Sequence, residues 1–339
     1  MALLELTEYG FYCKAGAFFI DPWHDVDRAV ITHAHSDHLR PGSKSYLITK
    51  PAIEIARRRV GDEAVLQGID YGEPVVLNGV KVSLHPAGHI LGSAQVRIEH
   101  RGEVWVVSGD WKRHEDPTCA PFEVLQCHTF ITEATFGLPI YRWPSPRSVF
   151  EEMNEWWVEN QQSGRASIVL AYALGKAQRI LSGINQTIGP IYVHGAVHHV
   201  NEVYQRAGIE LPPSEPVYAA PKATDWSRAM IIAPPSAFRS PWMRRFGVVS
   251  TAFASGWMRV RGVRRRRAID RGFILSDHTD WPGLVEVIRE TGAERIGVTH
   301  GYVTVLSRWL TEQGVDAVGY QTPFEGETLN EPEEADLRD

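Results

Sequence analysis

Residues 32–43 read THAHSDHLRPGS, and six consecutive positions of that stretch include His33, His35, Asp37 and His38. Neither a helix cap nor an apolar core face calls for that cluster, whereas imidazole nitrogens and a carboxylate together bind cations. Along an extended segment, side chains two apart leave on the same side, so His33 and His35 can grip one cation. Asp37 and His38 follow where the chain turns and can point to a second. A donor set of nitrogen and carboxylate suits zinc or manganese rather than calcium or magnesium. Two sites need further donors. The candidates are His89 in PAGHILGS, Asp110 closing VVSGD, whose carboxylate can bridge two cations, and His300 in GVTHG.

The elements around these residues are short and apolar. AGAFFIDP ends at Asp21, RAVITHAH runs into the histidine cluster, and KVSLHPAGHILGSAQVRIEH reads as strand, loop and strand. EVWVVSGD and HTFITEATFG are two more strands, the first ending in Asp110 and the second carrying Glu133. Functional groups just beyond the last apolar residue of a strand are the common α/β arrangement. After Gly137 the pattern changes. PIYRWPSPRSV is rich in proline and aromatic residues, SVFEEMNEWWVENQQ has the spacing of an amphipathic helix, and ASIVLAYALGKAQRILSGI, GPIYVHG, MIIAPPSA and FGVVSTAFAS alternate buried strands with helices or turns. Such alternation predicts a small parallel sheet with its own core. Beyond RGVRRRRAIDR the first pattern returns in GFILSDHTD and ERIGVTHG. The expected organisation is an α/β domain made of residues 1–140 and 269–324, interrupted by an inserted domain at 141–268 and followed by an acidic tail at 325–339.

The chain has 339 residues and is 43% hydrophobic, enough for one large core or two smaller ones. The first ten residues, MALLELTEYG, lack the basic region and apolar run of a secretory signal. No apolar stretch approaches the ~20 residues that span a bilayer. The three cysteines, Cys13, Cys119 and Cys127, suit a reducing compartment and small buried roles, so a cytoplasmic protein is expected. Net charge is −6, but it is segregated: residues 141–268 hold 17 Lys and Arg against 8 Asp and Glu, whereas the tail at 325–339 holds seven acids and one arginine. A basic middle in an acidic frame favours a localised anionic partner.

Taken in order, Asp21, HAHSDH, His89 and Asp110 resemble the successive motifs of the metallo-β-lactamase fold. More narrowly, Glu133 in TEATFG, His278 in LSDHTDW, His300 in VTHG and the segment YALGKAQR are similar to those of the β-CASP nucleases. That family includes ribonuclease J and the cleavage-and-polyadenylation endonuclease. Within it, GDWKRHEDPTCAPFE and TFGLPIYRW are most similar to the bacterial ligase-associated DNA exonucleases. The resemblance implies an αββα sandwich with an inserted α/β β-CASP cap. It implies that His33, His35 and His89 hold one cation, that Asp37, His38 and His300 hold another, and that Asp110 bridges them, with Asp21 orienting a ligand. It further implies hydrolysis of a phosphodiester, with Asp37 among the catalytic residues, His278 as the group that meets the phosphate and donates a proton, and Glu133 as its hydrogen-bond partner.

The implied substrate is single-stranded DNA cut from the 5′ end in DNA repair, alongside a ligase and a helicase. An RNA-processing nuclease stays open, because the crosslink-repair branch of the family lacks a histidine at the position of His300. A small-molecule metallohydrolase is the third reading. For the nucleic acid itself, RVRGVRRRR at 259–267 places Arg264 and Arg265 as phosphate contacts or as an exposed loop. Lys176 and Arg179, near a helix start, are candidates for a terminal phosphate. Trp257, Trp242 and Tyr172 could stack on bases, with core packing the default. His194, His198 and His199 read as structural.

Overall fold

The computed structural model describes residues 2–260, 262 and 269–323; Arg264, Arg265 and the tail at 325–339 lie outside them. The described residues form a mixed α/β structure with three sheets, and the chain divides into two compact units. The first unit runs through Arg142 and resumes at His278; the second is Trp143–Asp277.

In the first unit, one six-stranded sheet is built in chain order from Glu5–Thr7 to Val65–Ile69. A seven-stranded sheet holds Val75–Leu77, Val80–Pro86, Ala94–His100, Glu103–Val107, Thr129–Ala134, Arg295–Gly301 and Asp316–Gly319. Its first four strands are an antiparallel meander. Asn78 and Gly79, both at positive φ, make the two-residue turn that the right-handed strand twist favours. The last four strands are mutually parallel. Alternation along the strands makes two cores. Phe18, Ile20, Val30 and Leu47 of the first sheet pack with Val82, Leu84, Val96 and Ile98 of the second. Val106, Phe130, Ile296 and Val298, on the opposite face of the second sheet, pack with Leu284, Val287 and Ile288 of helix Trp281–Glu290 and with Leu306 and Leu310 of helix Val303–Glu312.

The second unit has a parallel six-stranded sheet with Ala166–Leu170 near its centre, every residue of that strand buried. Burial on both faces is why this stretch reads as continuous apolar sequence rather than as alternation. Helix Pro146–Gln162 opens on Ser145, whose hydroxyl accepts from Ser148 N at 3.2 Å, with proline in the first turn. Val149, Met153, Trp156 and Trp157 fall on its buried stripe and pack with Val169, Ile232 and Ala252 of the sheet. Among the described residues, no helix is long and apolar enough to cross a membrane.

Candidate metal centre

Each candidate donor in the first unit stands at the end of a strand or in the loop beyond it. The strand Phe18–Ile20 delivers Asp21, and Ala29–Val30 leads into the loop carrying His33, His35, Asp37 and His38. The antiparallel pair Val80–Pro86 and Ala94–His100 encloses the turn with His89, where Ser93 Oγ accepts from the backbone of His89 and Ile90. Glu103–Val107, Thr129–Ala134 and Arg295–Gly301 are parallel neighbours, and their carboxyl ends bring up Asp110, Glu133 and His300. His278 lies two residues before Asp280, the N-cap of helix Trp281–Glu290, and Thr279 N donates to Trp111 O at 2.7 Å.

The donor atoms converge. His35 Nδ1 lies 3.1 Å from His33 Nε2 and 3.0 Å from His89 Nε2. One carboxylate oxygen of Asp110, Oδ2, faces His33 Nε2 at 3.6 Å and His89 Nε2 at 3.8 Å. The other, Oδ1, faces His38 Nε2 at 3.6 Å, and that nitrogen is 3.5 Å from Asp37 Oδ2. Tetrahedral ligands at about 2.0–2.1 Å from zinc stand roughly 3.3 Å apart, so both sets have the separation of ligands around a cation. The two oxygens of Asp110 divide between the sets. His33 belongs to both groupings, because it also lies close to Asp37 and His38. Asp110, Glu133 and His278 form a third such grouping, and His300, stacked on His38 with ring centroids 5.3 Å apart, joins none of the three among the described residues.

The surroundings orient these donors. Asp21 Oδ2 is 2.7 Å from His38 Nδ1, while Asp21 Oδ1 accepts from Thr32 N at 2.8 Å. The outward nitrogen of His33 meets Thr32 Oγ1 at 3.1 Å. Holding one ring nitrogen leaves the other aimed inward, as metal-binding histidines require. Asp21 and His300 both adopt left-handed backbone, φ +42° and +55°, an uncommon conformation that concentrates at functional sites.

Two buried atoms at the centre, His38 Nε2 and Asp110 Oδ1, have no hydrogen-bond partner among the described residues. Buried polar atoms are normally satisfied, and a bound cation would satisfy both. Burial, followed by the neighbouring His38 and His89, holds the His33 pKa well below the usual imidazole range, so His33 is neutral and able to ligate. Burial also lowers His300, to about 4. Burial and then Glu133 push Asp110 up to about 7. The residues fit a divalent cation.

Beside the cluster, Glu133 meets His278 Nδ1 through both carboxylate oxygens, at 2.9 and 2.8 Å. Burial raises the Glu133 pKa, but His278, Thr135 and Trp111 N outweigh it, and the net shift is downward. In the second unit, Lys176 and Arg179 are buried rather than presented to solvent. Lys176 Nζ is 3.4 Å and Arg179 Nη1 3.1 Å from the Asp277 carboxylate, and Arg179 Nη1 donates to Ser276 O. His194 caps helix Gly195–Arg206, accepting from Ala196 N at 3.2 Å. Three supporting residues were not singled out from the sequence: Thr32, Arg59 and Lys112. The signal available was position alone, Thr32 directly before the first histidine and Lys112 two residues past Asp110.

Several known proteins and solved structures are similar to this chain, among them the following. A protein of Opitutus terrae named as a probable DNA ligase is 28% identical over 312 residues, covering 91% of this chain and 30% of that protein. An RNase J-like protein of Methanocaldococcus jannaschii is 26% identical over 209 residues, covering 53% of this chain and 50% of that one. The endoribonuclease YSH1 of Yarrowia lipolytica is 32% identical over 119 residues, 34% of this chain and 14% of that protein. The chain thus spans half or less of the length of these relatives. A crystal structure of a protein of unknown function from Enterococcus faecalis V583 shares the fold, with a TM-score of 0.58 at 12% identity over 88% of this chain and 80% of that one. No family model matches. The named relatives include RNA-cutting nucleases, in keeping with the metallo-β-lactamase and β-CASP resemblance of the motifs.

Proposed function

We propose that this protein is a metal-dependent nuclease of the metallo-β-lactamase and β-CASP type, with an αββα sandwich and an inserted cap. The observation that carries this reading is the Asp110 carboxylate, one oxygen of which faces His33 and His89 and the other His38. In this reading His33, His35 and His89 would hold one cation and Asp37 and His38 the other, with Asp110 shared between them; His300 would turn from its place stacked on His38 to complete the second set. Zinc and manganese both suit the donors. Two divalent cations so placed would lower the pKa of a water and stabilise charge on phosphate oxygens.

The chain's own residues do the rest. His278 meets the phosphate and donates a proton to the leaving oxygen. Glu133 holds its Nδ1, so Nε2 is the atom that acts. Asp37, beside His38 and His33, would ligate a cation. The proposed substrate is single-stranded DNA degraded from the 5′ end in repair, with a ligase and a helicase as partners in the pathway. The similarity to a protein named as a DNA ligase, over nearly all of this chain, supports the choice of DNA and the link to a ligase. Cutting of RNA is the second reading, favoured by the relatives named as ribonucleases.

The test is cleavage of matched single-stranded DNA and RNA, labelled at the 5′ end, with manganese and separately with zinc. Early release of labelled mononucleotide from DNA alone is the expected result. Preferential cutting of RNA moves the protein to RNA processing, and no cutting of either by metal-loaded protein overturns the nuclease reading.

A further inference from the structure

One short segment grips the turn that carries His89 at three consecutive carbonyls. Lys112 N donates to Ala87 O at 3.2 Å, Cys119 Sγ to Gly88 O at 3.3 Å, and Lys112 Nζ to His89 O at 2.7 Å. The turn and the segment are closely apposed: at Gly88, φ +73°, a Cβ would stand 2.3 Å from Lys112 O. The Lys112 side chain is 1% exposed, and its ammonium lies 2.8 Å from Asp116 Oδ2. The other carboxylate oxygen of Asp116 accepts from Thr118 N and Thr118 Oγ1, at 2.9 and 2.6 Å. The first histidine loop is held in a similar way, with buried Arg59 donating from Nε to Ala34 O, between His33 and His35, at 2.8 Å.

A buried ammonium beside the backbone of a cation ligand poses a physical problem. It is an ideal donor for a carbonyl, yet its charge would oppose a cation at the neighbouring imidazole, and low dielectric strengthens that repulsion. A carboxylate in contact with the ammonium removes the conflict while leaving the hydrogen bond intact.

We infer that Lys112 and Asp116 form a charge-neutral brace that positions His89 for the three-histidine cation. Lys112 sets the place of the ligand through its backbone, and Asp116 cancels the lysine charge that would otherwise weaken cation binding there. Both are positioning residues; neither touches the reacting atoms. The inference rests on the metal reading of the site and deepens it by separating the supports of its two halves.

The experiment is equilibrium titration of the full chain with zinc against a chromophoric chelator, alongside thermal melts of the metal-free proteins. Wild type is expected to bind two zinc ions. Lys112→Met and Asp116→Asn are each expected to lose about 10- to 100-fold in affinity for one ion and to leave the other within about twofold. Combined with His89→Ala, neither change should weaken binding further, because residues acting through one ligand are not additive. Asp116→Asn keeps side-chain shape and an acceptor for Thr118, so it carries the test if Lys112→Met does not fold. Unchanged affinity for both ions in folded Asp116→Asn, or equal loss at both, overturns the brace. Absence of zinc binding by wild type instead overturns the metal reading itself.

Discussion

His278 Nδ1 stands 2.8 Å from Glu133 Oε2, although 145 positions of sequence separate the two residues, and both side chains are buried. With one ring nitrogen held by a carboxylate, only Nε2 is left to meet a substrate. Replacing Glu133 by Gln preserves the shape but removes the charge, and it lets the ring adopt the other tautomer. On the proposed mechanism, Glu133→Gln and His278→Ala each lower kcat by about 10²- to 10⁴-fold and leave metal stoichiometry unchanged. Cleavage assays paired with metal analysis of the same preparations check this; loss of metal in step with activity would assign the pair to ligation instead.

Asp21 acts on metal binding through His38. Asn tolerates the left-handed backbone that Asp21 adopts, φ +42°, so Asp21→Asn isolates the carboxylate. It should weaken cation affinity by about 10- to 100-fold, read by isothermal titration with manganese. The melting temperature of the metal-free protein should move little.

Gly109 adopts φ +57°, and a Cβ there would stand 2.6 Å from Thr32 Cβ and Oγ1. Gly109→Ala therefore strains the backbone beside Asp110 and displaces the residue that holds Asp21 and His33. A loss of about 1–3 kcal/mol is expected from the backbone conformation, measured by urea unfolding without metal. A stability equal to wild type would show that the loop yields freely.

The core of the second unit depends on Trp157, 0% exposed, whose indole N–H donates to Arg228 O at 3.2 Å. Trp157→Ala should cost about 3–5 kcal/mol. Calorimetry or denaturant melts followed by tryptophan fluorescence would detect it.

All three cysteines are buried. Burial raises the Cys13 thiol and pushes Cys127 up to about 12. A raised pKa means less thiolate at a given pH, and thiolate is the reactive form. Native protein at pH 8 should take up N-ethylmaleimide at neither residue within minutes, while unfolded protein labels fully; mass spectrometry distinguishes the two.

Much of the fold was legible because its signals are local. Apolar runs such as EVWVVSGD and MIIAPPSA became the strands Glu103–Val107 and Met230–Ala233, and SVFEEMNEWWVENQQ lies within helix Pro146–Gln162. The histidine cluster was legible for the same reason, since His33 and His35 need only two residues of extended chain to reach one point. Lys176 and Arg179 show the opposite case. Long cationic side chains near a helix start read as an open anion site, but the carboxylate that engages them, Asp277, is about a hundred positions away in sequence. Local spacing carries no trace of such a pair.

By itself the sequence determined which donors exist, that His33, His35, Asp37 and His38 crowd together, and that Asp110, Glu133 and His300 occupy or follow apolar strands. These are matters of residue type and of the fixed two-residue repeat of extended chain. The tertiary structure alone decided that the Asp110 oxygens face different histidines, that His300 stacks on His38 outside the ligand groups, and that Lys112 reaches the carbonyl of His89. Those relationships depend on the register of parallel strands far apart in the chain and on the path of the loops between them. A displacement of a single ångström there decides whether donors meet.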